Sequence, residues 1–357
     1  MTRSRNVASA LALLILLVLL LALLQLPVPY AIYRPGPTFD VLAKSGKTPI
    51  IDVSGHRTYR DDGQLRMVTI IPSQPQDRIS VLDAVTAWLN PKDDLYPASA
   101  VFQQNVSNAQ ENEQDQLQMV SSQDTATAAA LHQLGIKYTK SVRAGSVKSG
   151  APADGKIHVG DLILAVDGVS THTPDAVVKQ VQRHGPGETL HFRIDRGGKV
   201  RTVAITTIAA GTTGKLSKEA LVGVGVTPTY RFPFQVKLHV ASTIGGPSAG
   251  TMFALGIYDL LTPGSLTGGQ PIAGTGTITA DGQVGAIGGI QQKIAGAQAD
   301  GAKLFLVPAT NCDEAVRADY DSDKMRLVKV STLSGAIRTI KAWTKDPASK
   351  TLPECAS

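Results

Sequence analysis

Two glycine-rich motifs of the 357-residue chain carry a serine and a lysine that could act together in catalysis. Ser248 lies in GGPSAG at residues 245–250, and Lys293 follows GGIQQ at residues 288–292. A helix predicted to begin after Pro247 places Ser248 at its N-terminus, where free N–H groups and the helix dipole can stabilise an oxyanion. A lysine drawn into an apolar site has a lowered pKa, and its neutral amine can accept the proton of a serine hydroxyl. The pair therefore suits Ser-Lys nucleophilic catalysis.

Each of these residues also has a structural explanation. Ser248 could simply cap a helix, and Lys293 could be a surface lysine whose stem covers apolar neighbours. Helical spacing places Ile290, Lys293 and Ala297 on one face, so the lysine is either a surface group or one drawn into an apolar site. Lys303 is a rival base, but it begins a predicted strand and fits an exposed edge better.

Other chemistries find little support in the sequence. His239 lies nine residues before Ser248 and the other histidines are dispersed, so we predict neither a Ser-His-Asp triad nor a metal site. Residues 150–157 follow the phosphate-loop pattern except at Ile157, where a magnesium-ligating hydroxyl is required. We therefore predict no nucleotide and no other cofactor. The formal charge is +6, but Lys and Arg form no run, so we predict no nucleic-acid partner.

The elements that must position the serine and lysine alternate between strand and helix. Residues 234–240 read as a strand, and a helix follows the serine motif to about Leu261. A hairpin with Asp281 and Gly282 at its turn precedes the lysine helix. This alternation predicts an α+β domain.

Upstream residues predict a second, β-rich block. Alternating apolar residues over 138–147, 189–194 and 200–205 indicate strands, and residues 174–183 indicate a helix.

The region before it, residues 29–118, begins with a segment over 30–47 that is rich in Pro and Gly, notably at positions 34–37, and predicts an extended stalk. Residues 81–89 predict a short helix, and the Asn-, Gln- and Glu-rich residues 103–118 predict a solvated loop before a helix that starts near Ser122.

The N-terminus predicts a membrane anchor. Residues 7–26 are almost wholly Ala, Leu, Ile and Val, and a helix of this length matches the hydrocarbon core of a bilayer. Arg3 and Arg5 precede it, so the positive-inside tendency sends the rest of the chain across the membrane. Because no small-x-small cleavage site follows, we favour an uncleaved anchor at residues 7–28 over a signal peptide. We predict a single-pass protein of the cell membrane with its domains outside the cytoplasm.

The chain contains two cysteines, Cys312 and Cys355. An oxidising compartment would let them pair and hold the C-terminal tail, residues 346–357. Two unrelated thiols are the alternative, and the sequence leaves both open.

The second block resembles a bacterial PDZ domain. The likeness rests on residues 149–153, 160–163 and 166–168 and covers about residues 123–208. It implies that an extended peptide binds by strand addition. Residues 134–136 are a partial candidate for the carboxylate-binding loop, and a β-rich spacer that binds nothing is the alternative.

The serine and lysine motifs, with Gly-Thr-Gly at 274–276 between them, resemble the Lon-type proteolytic domain in order and spacing. Residues 304–308 and Asn311 continue the likeness, which covers about residues 221–343. Gly245, Gly274 and Thr277 differ from the acidic residue, the Met and the Glu that are usual in Lon.

The resemblance implies roles for five residues. Ser248 would be the nucleophile, Lys293 the general base and Thr275 the residue that orients the lysine. Gly246 and Ala249 would support the serine.

The predicted fold class is α+β multidomain: a transmembrane helix, a PDZ-like β-rich module and a Lon-type proteolytic domain. The predicted boundaries are 7–28 for the anchor, 29–118 for the stalk and N-terminal β region, 119–210 for the PDZ-like domain, 218–345 for the Lon-type domain and 346–357 for the tail. This arrangement resembles the membrane-anchored PDZ–Lon serine proteases of the YlbL-like group.

That resemblance implies an ATP-independent endopeptidase that cleaves flexible or misfolded extracytoplasmic protein segments. One alternative is a catalytically silent adaptor that binds membrane or secreted partners through its PDZ-like module. Another is a protein that processes itself and then has a structural role.

Overall fold

The computed structural model describes residues 2–46, 48–74, 76–102, 108–212, 215–241 and 244–355. Its helices are α1 (Thr2–Leu24), α2 (Val81–Leu89), α3 (Ala98–Val101), α4 (Asn108–Gln133), α5 (Pro174–Gln182), α6 (Gly250–Leu261), α7 (Ile290–Ala299), α8 (Cys312–Ala315) and α9 (Leu333–Lys345), with a 3₁₀ turn at Ala309–Asn311. Its strands are β1 (Tyr30–Asp40), β2 (Lys44–Ser45), β3 (Thr48–Pro49), β4 (Ile51–Ser54), β5 (Gln64–Pro72), β6 (Asp94–Pro97), β7 (Thr139–Val147), β8 (Leu162–Val166), β9 (Val169–Ser170), β10 (Thr189–Arg196), β11 (Lys199–Thr206), β12 (Ile208–Thr212), β13 (Lys215–Leu221), β14 (Val224–Arg231), β15 (Gln235–Leu238), β16 (Pro271–Gly274), β17 (Thr277–Ile278), β18 (Val284–Gly285), β19 (Leu304–Pro308) and β20 (Arg326–Val330).

The central sheet takes strands from both halves of the chain, in the order β20-β19-β16-β5-β1-β6. Strands β5, β16, β19 and β20 run parallel, while β1 is antiparallel to both of its neighbours, β5 and β6. The N-terminal residues 30–97 therefore supply three strands to the sheet that also holds the Lon-like motifs, which differs from the domain boundaries predicted from the sequence.

The prediction of an extended stalk at residues 34–37 is wrong, because these residues lie within β1. Ala31 and Ile32 of this strand are fully buried. The register of β1 on β5 shifts between Pro35 and Thr38, and such a bulge accommodates prolines, which cannot donate to the ladder. Composition alone suggested an extended segment, and the structure shows that the extended segment is paired.

Two helical layers cover the central sheet. Helix α6 packs on one face with Met67 and Leu306, and it is buried over nearly its whole length because it is apolar on all sides. Helix α7 packs on the other face with Val68 and Phe305, whose side chains alternate with those of the first face. The sheet is thus the shared wall between two apolar cores.

The β-rich module has its own sheet, in the order β11-β10-β8-β7-β14, with β9 paired to β8. Leu190 and Phe192 are fully buried in its separate core. The predicted helix and hairpin are present as α5 and as β10 with β11. The chain enters this module from α4 and leaves it through β14, so the module lies between two segments of the larger α+β domain.

Helix α4 replaces most of the loop predicted at residues 103–118. Residues 103–107 lie outside the described residues, but helix α4 begins at Asn108, so the loop prediction is wrong from that residue onward. Met119, Ala126 and Ala130 of this helix are buried in the core around α6. Tertiary packing therefore stabilises a segment whose polar composition favours solvent.

Helix α1 covers the leucine-rich N-terminus. Within the described ranges, no helix has the length and apolar character that a membrane span requires. The anchor at residues 7–28 stays a prediction.

Cys312 and Cys355 form a disulfide with their Cα atoms 5.0 Å apart. It closes a segment of 43 positions that includes β20 and α9. The tail is also held by a hydrogen bond from Lys329 N to Pro353 O (2.7 Å), and Leu352 is buried.

Removing this disulfide should lower the free energy of unfolding by about 2–4 kcal/mol, because the covalent link restricts the unfolded chain. The measurement is urea denaturation of the chain with Cys312→Ser and Cys355→Ser together. The reduced wild-type chain is the matched control and should unfold at the same urea concentration as the double variant. Coincidence of the double variant with the oxidised wild type would contradict a stabilising role.

Candidate active site

Ser248 lies in the turn that precedes α6. Gly246 has a φ of 81°, which favours glycine, and this conformation lets the chain turn sharply before the serine. The N-cap of α6 is Ala249, and no side chain caps this helix. Within the described residues, Ser248 Oγ makes no hydrogen bond, so its hydroxyl does not act as a helix cap here. Ser248 is half-buried, which leaves the hydroxyl accessible to a substrate.

Thr275 and Gly276 hold the serine backbone in place. The Thr275 hydroxyl and the Gly276 amide both donate to the carbonyl oxygen of Ser248, at 3.0 Å and 2.8 Å. Thr275 is buried, and its own amide donates to Leu306 O at 3.3 Å. The resemblance implied that Thr275 orients Lys293. In the structure its hydroxyl donates to the serine turn, and its lone pairs can still accept a hydrogen bond from the lysine.

Lys293 lies in the first turn of α7 and is only 4% exposed. Among the described residues, its ammonium forms neither a hydrogen bond nor an ion pair. Burial lowers the pKa of Lys293 to about 8, and the negative charge of Glu314 opposes part of this shift. A substantial fraction of the lysine is therefore neutral near physiological pH, as a general base requires.

The helix that follows Ser248 and the helix that carries Lys293 begin at the same edge of the central sheet. Thr251 N donates to Gly276 O (3.0 Å), so α6 begins at the carboxyl end of β16. The N-cap of helix α7 is Gly289, where a Cβ would lie 3.0 Å from Cγ2 of Ile70, and Ile70 lies three residues past the β5 residue that pairs with Gly274. The serine and the lysine thus approach this edge from opposite faces of the sheet. No hydrogen bond joins them within the described part of the chain.

The rival base Lys303 lies at the opposite edge. It precedes β19, its amide donates to Pro271 O (2.9 Å), and its side chain is exposed. It lines a cavity of about 760 Å³ beside Arg326 and Trp343. Because β16 and β19 are parallel, this end of the strands is remote from Thr275.

Helix α4 supports the serine turn, a contribution that the sequence analysis missed. Gly246 N donates to Asp115 O (3.1 Å), and the Ser122 hydroxyl donates to Pro247 O (3.1 Å). A Cβ on Gly245 would lie 2.7 Å from the Cβ of Asp115, so this helix leaves no room for the acidic side chain usual in Lon. No sequence signal connects these residues, which are more than 120 positions apart.

The presence of glycine at residue 274 also has a steric explanation. A Cβ at this position would lie 2.8 Å from the Leu306 Cβ and 2.9 Å from the Met252 sulfur. Met252 therefore occupies the space beside the strand, and this explains why a methionine is not accommodated at residue 274.

Asn311 fixes the segment that leads into the lysine helix. Its side chain accepts a hydrogen bond from Ile287 N (3.0 Å) and donates one to Ile287 O (2.9 Å). At the next turn, Gln292 Nε2 donates to Asp94 Oδ2 at 2.8 Å, which ties α7 to β6. In the part of the chain that the structure describes, no group of three or more His, Cys, Asp or Glu residues could hold a metal ion.

The β-rich module contains a groove of about 350 Å³ between α5 and β14, an edge strand of its sheet. Its apolar lining includes Val177, Val178, Val181, Phe192 and Leu221. The segment 221–226, Leu-Val-Gly-Val-Gly-Val, borders this groove and alternates apolar residues with glycine. Gly223 has a φ of 80°, and a side chain there would overlap Ala151.

This segment is the candidate carboxylate-binding loop, in place of the partial candidate at residues 134–136. Those residues follow the end of α4, where Gly135 N and Ile136 N donate to the carbonyls of His132 and Leu131. The loop was missed because it follows the other strands of the module, at residues that the predicted boundaries assigned to the next domain.

Two segments of the chain match known protein families. Residues 106–207 match the PDZ domain family, and residues 193–340 match the Lon protease (S16) C-terminal proteolytic domain. The Lon protease of Phenylobacterium zucineum is 30% identical over 133 residues, which are 36% of this chain and 16% of that protein. The Lon protease of Campylobacter concisus is 33% identical over 111 residues, which are 29% of this chain and 13% of that protein. The chain thus spans less than a fifth of the length of these relatives.

Among solved structures, the PDZ domain of the SdrC-like protein from Listeria innocua is 28% identical, with a TM-score of 0.20. The match covers 23% of this chain and 91% of that domain. The PDZ domain of the SdrC-like protein from Listeria monocytogenes is 24% identical, covers 24% of this chain and 85% of that domain, and has a TM-score of 0.22. On the matched residues, the chain carries a PDZ domain followed by the proteolytic domain of the Lon-type (S16) serine peptidases.

Proposed function

We propose that the chain is an ATP-independent serine endopeptidase that uses Ser248 and Lys293 as a catalytic dyad. The observation that carries this proposal is the burial of Lys293, which forms no ion pair with any residue that the structure describes, at the sheet edge where Thr275 holds Ser248. ATP independence rests on the sequence, which contains no complete phosphate-loop motif. Substrates would be flexible or misfolded segments, because such segments can reach the serine without prior unfolding.

In the proposed reaction, Ser248 Oγ attacks a peptide carbonyl and Lys293 Nζ takes the hydroxyl proton. The tetrahedral intermediate collapses to an acyl-enzyme as the lysine passes that proton to the leaving amine, and water then releases the acyl group. The amides of Gly250 and Thr251 already donate to Pro247 O and Gly276 O. We therefore assign the oxyanion to the amides of Ser248 and Ala249.

The groove between α5 and β14 would bind substrates or regulatory peptides and bring them to the chain. An extended peptide can add to the open edge of β14, and the apolar lining selects its side chains. Lys148 also borders the groove and would favour a carboxylate.

We also propose that the chain is anchored in the cell membrane with its domains outside the cytoplasm. The support is the apolar sequence of residues 7–26 and the exposure of Leu11, Leu19 and Leu26 along it. The disulfide agrees with an oxidising compartment.

Substitution of either dyad residue should abolish proteolysis. Ser248→Ala and Lys293→Ala should each lower kcat/KM at least about 1,000-fold, and the double variant should lose little more, because the two residues act as a unit. The measurement is cleavage of a fluorescently labelled unfolded protein by the full chain without ATP. Lys303→Ala is the matched control and should keep full activity.

Proteolytic activity that survives in Ser248→Ala would contradict the proposed mechanism. A wild-type chain that cleaves nothing but binds peptides would favour the silent adaptor, and Ser248-dependent shortening of the chain itself would favour self-processing.

The activity should rise with pH as Lys293 loses its proton. Burial depresses the pKa of this lysine from 10.5 to about 8, and the neutral amine is the active form. Below that value kcat/KM should therefore rise about tenfold per pH unit, and it should level off above it.

Substitution of Glu314 tests whether the midpoint of the pH profile belongs to Lys293, because the charge of Glu314 raises the pKa of Lys293. Glu314→Gln should move the midpoint of the pH profile to lower pH. Asp313→Asn removes the same charge from the exposed neighbouring residue and should leave the midpoint unchanged. Equal shifts in both variants would contradict the assignment of the midpoint to Lys293.

The groove should bind short peptides that end in apolar residues. Val178 lines the groove and is 43% exposed, so Val178→Glu should weaken binding at least about tenfold by placing a charge against the peptide. Val200→Glu places the same charge on β11, away from the groove, and should have no effect. Fluorescence anisotropy measures both, and an amidated peptide tests whether a free carboxylate is required. Equal affinity of the two variants would argue against this groove.

A further inference from the structure

Helix α2 presents an apolar face to solvent. Leu82 and Val85 are each 42% exposed, Leu89 is 67% exposed and Trp88 is 77% exposed. Spacings of three and seven residues place Leu82, Val85 and Leu89 on one side of the helix, and Trp88 lies at its border. Four large apolar side chains on a helix of nine residues form a patch of a kind that monomeric soluble proteins rarely expose to solvent.

The opposite side of α2 fixes the helix to the central sheet. Ala87 is buried and packs with Ile32 of β1 and with Ile79. Ser80 and Asp83 form a capping box at the start of the helix. The patch therefore belongs to a helix with defined orientation, and its apolar side chains point away from a core that is already filled.

The patch is continuous with the end of α1. Val28 N donates to Ile79 O at 2.8 Å, and Val81 N donates to Leu26 O at 3.0 Å. Pro27 and Ser80 form an antiparallel bridge between these hydrogen bonds. Helix α2 thus begins directly beside the residue at which the proposed anchor ends.

The charges around α2 are placed at its ends. Arg78 precedes the helix and Lys92 follows it, and both are exposed. The carboxylate of Asp83 is engaged in the capping box, and that of Asp77 accepts a hydrogen bond from Gln74 N at 2.6 Å. Exposed cations at both ends of an uncharged apolar face suit a surface of lipid headgroups.

We propose that α2 lies in the interface of the lipid bilayer, with Leu82, Val85, Trp88 and Leu89 in contact with the acyl chains. This inference rests on the proposed anchoring of the chain by residues 7–28. An anchor helix alone leaves the attached domain free to tilt. A second lipid contact holds β1 and β6 against the membrane and sets the orientation of the central sheet.

The chain contains two tryptophans, Trp88 and Trp343, and this composition gives the test its readout. Trp343 is buried in the core around α6. The full chain is reconstituted into phosphatidylcholine vesicles with either ordinary or brominated acyl chains, and flotation verifies that it is anchored. Brominated lipid should quench the Trp88 emission, and it should leave the emission of the Trp88→Phe variant, which retains Trp343, unchanged.

A triple variant, Leu82→Ser, Val85→Ser and Leu89→Ser, keeps Trp88 as the probe. It should still float with the vesicles and should lose the quenching. A wild-type chain that floats with an unquenched Trp88 overturns this inference and leaves the anchor intact. The same result with Trp88 emission that depends on protein concentration assigns the patch to a second copy of the chain. A chain that does not float overturns the anchor, and this inference with it.

Discussion

The burial of the Lys293 amine is the constraint on which the proposed active site depends. A buried ammonium without a partner is costly, so the site is tenable only if the lysine loses its proton readily and the surrounding helix is held rigidly. The packing of α7 provides this rigidity. A Cβ on Gly296 would lie 2.7 Å from the carbonyl oxygen of Gly36, so α7 and β1 are in backbone contact. Strand β1 is thus part of the surface on which the lysine helix packs.

The peptidase domain and the PDZ domain are also joined through a shared element, helix α4. Helix α4 braces the serine turn through Asp115 and Ser122, and it then leads directly into β7. Strand β14, which borders the groove, packs against α4 and returns the chain toward β15. Helix α4 therefore contacts both the serine turn and the strand that borders the groove. This arrangement explains why a boundary drawn between the two domains from sequence alone divides elements that fold together.

Local sequence patterns predicted much of the structure. Helices α2, α5 and α6 lie close to where the sequence predicted them, and the Ser248 and Lys293 motifs were identified from their glycines and their order. The remaining features depend on distant contacts. Strand β1 contains prolines that suggest a stalk, and α4 is polar at its start, yet both are held by residues far along the chain. The groove loop at 221–226 was missed because its position becomes meaningful only when β14 pairs with β7.

An NMR titration of the chain with ¹³Cε-labelled lysine measures whether Lys293 is a desolvated base. The signal of Lys293 is assigned as the one absent from the spectrum of Lys293→Ala. We expect Lys293 to titrate with a pKa of about 8, well below its ordinary value of 10.5. A Lys293 signal that titrates near 10.5 would show that the amine is not desolvated.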